Sequence, residues 1–385
     1  MSVNFKINAK PLALVIGRAA RVTERRNRIP ILGMVRLIAE GSELKVSGTD
    51  LDVQIDATAP AEVLAATRFA VSPRPLLSLL RQLGDEVVSV SFDGFAVLFQ
   101  WSDGRAAFTT LAAEDFPELQ PKGECETVVV PPTLVSEALD PVRHCVSTEE
   151  TRYYLNGICL YNGPDGALFV ATDGHRLAAR PAPALTRLVN GRDGSAILPR
   201  CFIGAFADYA RGATGRLSLY KLHVEFETDN LRLVSKLIDG TYPDWPRIIP
   251  KDAEATIRVS RAALSMALAR VAFVRNGEGQ AATLAMSAGV LRLSAQGYDG
   301  MCVETAVGAA EGSFEGRTGF NRRYLAEAMR SVRGDIVTLA APGVTGPFLL
   351  SGSDDAPGAL NVLMPLRVGD RDFVIPEPRP AKKAA

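Results

Sequence analysis

A histidine two residues after an aspartate is the place in this chain where acid–base or metal chemistry suggests itself. The segment Ala171-Thr-Asp-Gly-His-Arg-Leu-Ala178 sets Asp173 beside His175, and an imidazole near a carboxylate can serve as general base or metal ligand. The rest of the chain gives that pair little company. There are three histidines (His144, His175 and His223), and no HExxH helix, GxSxG elbow or phosphate-cradling glycine loop. A zinc or two-metal hydrolase needs more ligands than one Asp-x-His supplies. A metal-dependent hydrolase centred on Asp173 and His175 is therefore the alternative reading. Five cysteines (Cys125, Cys145, Cys159, Cys201 and Cys302) are scattered with no CxxC pair, which reads as reduced thiols, neither a disulfide framework nor a zinc site. No catalytic residue, metal or cofactor is expected. What remains to explain is recognition.

Charge says where. Lysine and arginine number 43, as do aspartate and glutamate, whereas a compact protein that grips nucleic acid tightly is usually basic. That balance disfavours a tight grip but permits loose encirclement, in which topology holds the protein on its track. The distribution is uneven. Six candidate helices carry Lys10, Arg18, Arg21, Arg74, Arg81, Arg143, Arg200, Arg211, Arg261, Arg270, Arg275, Arg322, Arg323, Arg330 and Arg333 against Glu137, Asp140, Asp208 and Glu327, fifteen to four. Helices sharing one surface would make it positive, with phosphate backbone its natural partner. A second cluster, Arg21-Val-Thr-Glu-Arg-Arg-Asn-Arg28, lies in a loop where four arginines have no packing role. No apolar run approaches the ~18 residues of a membrane span, and Met1–Lys10 lacks the apolar core of a signal peptide. The expected address is the cytoplasm, with no membrane partner.

The elements that position these residues repeat. Leu44-Lys-Val-Ser-Gly-Thr-Asp50, Leu168-Phe-Val-Ala-Thr-Asp173 and Leu291-Arg-Leu-Ser-Ala-Gln296 each end an apolar alternation in a polar turn. Short apolar strands precede the first two, at Ile31–Ile38 and Tyr153–Leu160. Val71–Arg81, Leu198–Asp208 and Phe320–Arg330 each read as a strand end, a helix N-terminus and an amphipathic helix, with Pro73 and Pro199 at helix starts, where a missing N–H costs nothing. Further strands lie at Val87–Phe92, Arg216–Tyr220 and Asp335–Leu339, and two copies close on Asp115-Phe-Pro-Glu118 and Gly240-Thr-Tyr-Pro-Asp244. A period this long describes duplicated domains, since solenoid repeats run ~20–50 residues. The expectation is an α+β chain of three similar domains, 1–123, 124–252 and 253–368, followed by a tail at 369–385.

Several segments resemble, in order and spacing, signatures of the bacterial DNA polymerase III beta subunit family. They are Thr151-Arg-Tyr-Tyr-Leu-Asn-Gly157, Ala171–Ala178, Ser235-Lys-Leu-Ile-Asp-Gly-Thr-Tyr-Pro-Asp244, Gly319-Phe-Asn-Arg-Arg-Tyr324 and Val362-Leu-Met-Pro-Leu-Arg-Val368. The resemblance implies a non-catalytic DNA sliding clamp. Its three clamp domains would form a ring as a head-to-tail homodimer, with helices lining the hole and sheets outside, the closed case of a heterologous interface. It also implies a hydrophobic pocket for short peptides of the polymerase III alpha subunit, the clamp loader and other partners. Carried over residue by residue, that pocket comprises Arg152, Tyr154, Leu155, Thr172, His175, Leu177, Pro243, Arg247, Ile248, Tyr324, Val362, Met364, Pro365, Leu366 and Arg367. Adaptable Met and Leu walls with aromatic and Arg rims suit a site that accepts many related peptides. Duplex DNA would meet Arg25, Arg26, Arg28, Glu149, Tyr153 and Tyr154. The dimer seam would pair Arg105 and Phe108 with Phe273 and Val274 of the partner chain. A divergent paralogue serving a specialised or repair polymerase is the neighbouring reading. The chain departs from the family pattern in three places. Pro141 should kink the first helix of the second copy, Phe108 stands alone beside the small Ala106, and the chain continues past Val368. That tail is Pro- and Lys-rich, a composition that stays disordered, and Phe373-Val-Ile375 is a candidate to fold back over the pocket.

Overall fold

Alternation of apolar and polar residues makes much of this chain antiparallel sheet, and seven helices pack on it among the described residues. The computed structural model describes residues 2–24, 28–190, 195–250, 252–275, 280–298 and 301–367. The helices are α1 (Ala9–Ala19), α2 (Pro73–Leu83), α3 (Asp140–Arg143), α4 (Thr186–Val189), α5 (Arg200–Ala210), α6 (Arg261–Val271) and α7 (Arg322–Ser331). None is long and apolar enough to cross a membrane. The described residues group into two compact units. One comprises Met1–Leu134, Ala184–Arg192 and Ala196–Asp239; the other comprises Val135–Pro183, Asp193–Ser195 and the described residues from Gly240 onward.

The first unit is built on one thirteen-stranded sheet. From one edge its strands run Cys125–Val130, Gly215–Tyr220, His223–Thr228, Leu231–Lys236, Val53–Pro60, Glu43–Thr49, Val35–Glu40, Thr67–Val71, Gly104–Leu111, Ala96–Trp101, Val87–Phe92, Phe5–Asn8 and Glu62–Val63. Two copies of the repeat join in mid-sheet, where Leu231–Lys236 pairs antiparallel with Val53–Pro60 and Ser235 lies opposite Val53. Helix α1 buries Ala9, Leu12, Val15, Ile16 and Ala19, a stripe at helical spacing. It packs with α2 over a core that includes Phe5, Leu37, Val46, Phe69, Leu76 and Phe99. The approach is close enough that a β-carbon on Gly48 would stand 2.0 Å from the Ala19 carbonyl oxygen, so only glycine fits there. Pro73 opens α2 as expected.

In the second unit the larger sheet carries, in order, Gly157–Gly163, Gly166–Thr172, Arg176–Pro181, Leu360–Leu363, Phe348–Gly352, Ile336–Ala341 and Ala255–Ser260. Here Arg176–Pro181 pairs with Leu360–Leu363 and joins the second copy to the third. A four-stranded sheet orders Cys302–Ala309, Val290–Gln296, Ala281–Ser287 and Gly316–Asn321. Helices α6 and α7 pack over a core of Leu264, Leu268, Leu325 and Met329 with Phe314, Phe320 and Phe348. The Phe320 and Phe348 rings meet edge to face at 5.0 Å. Asn321 caps α7, its side-chain oxygen accepting from the Arg323 and Tyr324 amides at 3.0 and 3.2 Å.

The strand readings need revision. The apolar runs read as strands at Ile31–Ile38 and Tyr153–Leu160 begin as 3-10 turns, Pro30–Gly33 and Glu150–Leu155, with strands only from Val35 and Gly157. Pro30 has no N–H for a ladder, and Ile31, Leu32 and Leu155 are apolar because they are buried anchors of the turns. At Pro141, where a kink is expected, the helix changes its winding. Val135–Leu139 forms a turn of π-helix that runs directly into α3. A proline here cannot donate to the Glu137 carbonyl and its ring presses on that turn, so the wider π geometry accommodates it.

Candidate functional site

The residues assigned to the peptide pocket all fall in the second unit. They gather where the strand Arg176–Pro181 meets Leu360–Leu363. The ladder sets Leu177 opposite Val362, and both are buried. Beyond its end the chain stays in register: the Met364 amide donates to the His175 carbonyl at 2.9 Å, and the Leu366 amide to the Gly319 carbonyl at 2.8 Å. Backbone pairing thus brings His175, Leu177, Val362, Met364 and Leu366 together across nearly two hundred residues of sequence. Leu155 and Thr172 are buried beneath, while Met364 is 44% and Leu366 36% exposed. An apolar rim left this open beside buried apolar walls suits a short hydrophobic ligand.

The turn carrying His175 is fixed by its own side chains. Thr172 donates its hydroxyl to the Arg176 carbonyl at 2.7 Å and accepts the Gly174 amide at 3.1 Å. One Asp173 oxygen accepts the amides of His175 and Arg176 at 2.9 and 3.0 Å, and the other accepts Arg176 Nε at 2.9 Å. Asp173 is therefore committed to the turn, which disfavours it as the partner of a catalytic His175. Among the described residues, no group of three or more His, Cys, Asp or Glu side chains is arranged to hold a metal ion.

Arg176 organises the neighbourhood. Its guanidinium also pairs with Glu327 of α7 and lies 3.9 Å over the Tyr324 ring, a cation–π contact that sets the ring's position. Glu327 accepts from Arg323 as well, at 3.0 Å. Arg180, four residues on, donates to the Leu360 and Ser331 carbonyls at 2.7 and 2.8 Å and fastens the ladder to the end of α7. Sequence reasoning passed over Arg176, Glu327 and Arg180 as site residues. A basic residue in an apolar strand was a usable signal; the identity of its partners, some 150 residues away, was not. Burial, with Arg176 as the next largest cause, holds His144 down at a pKa of about 4.

Arg152 lies at the rim, bound to Glu149 at 2.8 Å through Nε. A β-carbon on Gly174 (φ +88°) would stand 2.5 Å from its Nη1. Tyr153 is exposed and meets Tyr154 edge to face at 5.8 Å, and Tyr154 touches the linker at Gly240. Farther along that linker, Pro243 is exposed, and Arg247 pairs with Asp244 at 2.5 Å on the short turn that ends in the exposed Ile248. Pro365 is partly exposed and Arg367 exposed.

Of the residues expected to meet DNA, Arg28 is exposed in the first unit; Arg25 and Arg26 lie outside the described residues, as does the tail with Phe373-Val-Ile375. Of the seam residues, Arg105 is exposed and Phe108 half-buried on the strand Gly104–Leu111, where Phe108 meets Phe99 edge to face at 5.5 Å. Phe273 is exposed. Val274 is fully buried in its own unit's core, and its carbonyl accepts from Arg322. Its side chain serves that core.

Models of the DNA polymerase III beta subunit match the chain three times: the N-terminal domain at residues 3–120, the central domain at 129–244 and the C-terminal domain at 246–367. The chain belongs to the DNA polymerase III beta subunit family. Among relatives, a beta sliding clamp of Caulobacter vibrioides is 33% identical over 378 residues, covering 95% of this chain and 100% of the relative. One of Pseudomonas putida is 28% identical, covering 93% and 97%. Among solved structures, a DnaN sliding clamp from Bartonella birtlesii bound to griselimycin superposes with a TM-score of 0.89 at 30% identity, covering 95% of this chain and 100% of that one. The Caulobacter crescentus pol III beta does so with 0.86 at 32%, covering 95% and 100%. The family reading replaces the hydrolase alternative. This chain is a DNA sliding clamp, a processivity factor with no catalytic part in the polymerase it serves.

Proposed function

We propose that two of these chains close head to tail around duplex DNA, and that the groove beside His175 and Met364 receives short hydrophobic peptides of a replicative polymerase, its clamp loader and other partners. The three copies divide at 1–123, 124–252 and 253–368, and the protein works in the cytoplasm. The observation that carries the ring is the way copies join. The strand after each polar turn pairs with the last strand of the next copy: Val53–Pro60 with Leu231–Lys236, then Arg176–Pro181 with Leu360–Leu363. The third copy's equivalent, Cys302–Ala309, is paired on one side only among the described residues. The first copy's last strand, Gly104–Leu111, is the natural complement. An edge strand left open invites pairing with another chain, and a heterologous contact repeated through six copies closes on itself.

Carried over to the proposed seam, the register of the two internal junctions, in which Ser235 opposes Val53 and Leu363 opposes Arg176, would set Phe108 against Met301 and Ala107 against Cys302 of the partner chain. Opposed residues in antiparallel strands have α-carbons ~4.5–5.5 Å apart, within disulfide range. An Ala107→Cys chain should therefore oxidise to a covalent dimer through its native Cys302. Gels without reductant should show that dimer, and Cys302→Ser should abolish it. A monomeric solution mass, or equal retention on circular and linearised DNA, would sink the ring.

For DNA, the exposed helix arginines with Arg25, Arg26 and Arg28 are the proposed phosphate contacts, with Glu149, Tyr153 and Tyr154 beside the hole. Contacts of this kind are independent of base sequence and weaken with salt. A chain of zero net charge can hold DNA this way because closure, rather than affinity, retains it.

A further inference from the structure

The turn that presents His175 has a twin in the first unit. There Thr49 donates its hydroxyl to the Val53 carbonyl at 2.9 Å and accepts the Leu51 amide at 3.1 Å. Asp50 accepts the amides of Asp52 and Val53 at 3.0 and 2.7 Å. The Lys236 amide donates to the Asp52 carbonyl at 2.9 Å and the Ile238 amide to the Ile197 carbonyl at 3.0 Å. Every one of these bonds has its counterpart around Asp173, so Asp52 stands where His175 does, Lys236 where Met364 does and Gln54 where Leu177 does. The backbone is shared; the side chains differ in kind.

At the first junction Lys236 Nζ lies 2.9 Å from Asp52 Oδ1, an ion pair at the rim where the second junction leaves Met364 open. Gln54 accepts the Leu119 amide at 2.7 Å through its side-chain oxygen and donates to Asp56 at 2.9 Å. The chain at Glu118 is held further by Arg36 at 2.6 Å. Leu177 has no group with which to hold a linker in this way. A hydrophobic peptide entering the first junction would have to strip water from the two charges at its rim, a cost that Met364 does not impose at the second.

We infer that the first junction is a closed counterpart of the peptide groove, and that the Asp52–Lys236 pair confines docking to a single site per chain. The inference rests on the groove reading proposed above. The test uses the full-length chain and griselimycin, the compound bound in the Bartonella birtlesii relative, with stoichiometry read by calorimetric titration. The unaltered chain should take one equivalent per chain, abolished by Met364→Asp. The double substitution Asp52→His with Lys236→Met should raise it to two. Both residues are exposed, so folding should persist; Lys236→Met alone is the milder variant with the same readout should the double one melt early. One equivalent in these folded variants overturns the inference and leaves the groove reading intact. Two equivalents in the unaltered chain overturn it as well. Binding that survives Met364→Asp overturns the groove reading, and this inference with it.

Discussion

Beside the turn at Asp50 the first unit buries Val53, and from α5 it buries Ala205. At the equivalent places beside Asp173 the second unit has Arg176 and, from α7, Glu327, joined to each other and to Tyr324. The two regions hold the same backbone by different means. In the first these positions are buried and apolar, and in the second they carry a nearly buried ion network. Apolar packing would have sufficed for the fold, since the first unit manages with it. What the network adds is a fixed position for Tyr324 and for the loop of His175, so the second junction carries charge where it must present a surface.

Exchanging the two solutions sharpens this most. Arg176→Val leaves Asp173 without its cation and Glu327 with Arg323 alone, and breaking a buried pair costs about 3–5 kcal/mol. Adding Glu327→Ala completes the first unit's pattern and should recover more than half of that loss, because replacing a whole buried ion set with packed apolar groups is often neutral. Guanidinium unfolding of the two variants decides. Equal losses would mean the network is not the reason for the cost. Tyr324, freed of its cation, should still leave the double variant weaker in griselimycin binding.

Acid should separate the two units next. His144 in the second unit keeps its imidazole neutral down to a pKa of about 4, chiefly through burial and then through Arg176. The unfolded chain takes that proton near 6.5. Because the folded value is the lower one, stability is full above pH 6.5 and is lost as pH falls from there towards 4, on the order of 3 kcal/mol in all. In the first unit His223 is also lowered, by burial and then by Lys236, so the sign is the same there. His144→Gln should flatten the decline between pH 7 and pH 5 in unfolding midpoints. An unchanged slope would remove His144 from the account.

Much of this architecture could be read beforehand, and the reasons are local. The three strand–turn landmarks, the amphipathic helices and Pro73 at a helix start are set by periodicity and by residues whose constraints act within one turn. The 3-10 turns at Pro30 and Tyr153 were read as strand because a buried anchor and a buried strand residue have the same composition. The pocket residues came from family motifs. Composition alone would have left Leu155, Leu177 and Val362 as core, which their burial shows they also are. Arg176 escaped because its partner, Glu327, sits on a helix of the next copy, and no spacing rule reaches that far. The closed twin was hidden for a related reason: Asp52 and Lys236 look like ordinary surface charges until the ladder sets them opposite each other.

The smallest effect concerns the third residue of the two turns. Gly174 and Leu51 both adopt positive φ, +88° and +79°. For an L-residue that region costs roughly 1–2 kcal/mol, whereas glycine enters it freely but gives up roughly 0.5–1 kcal/mol of chain entropy. Leu51 is 41% exposed, so Leu51→Gly trades relief of that strain against lost burial of similar size and should shift the first unit's stability by less than about 1 kcal/mol. Gly174→Ala should destabilise by more, because its β-carbon would displace the end of Arg152 and disturb the ion pair with Glu149. Thermal melts should show a clear loss for Gly174→Ala and little change for Leu51→Gly, with only Gly174→Ala also weakening peptide binding. If Leu51→Gly lowers the melting temperature as much, Leu51 is held by contacts worth more than its strain, and the two turns are less alike than their hydrogen bonds indicate.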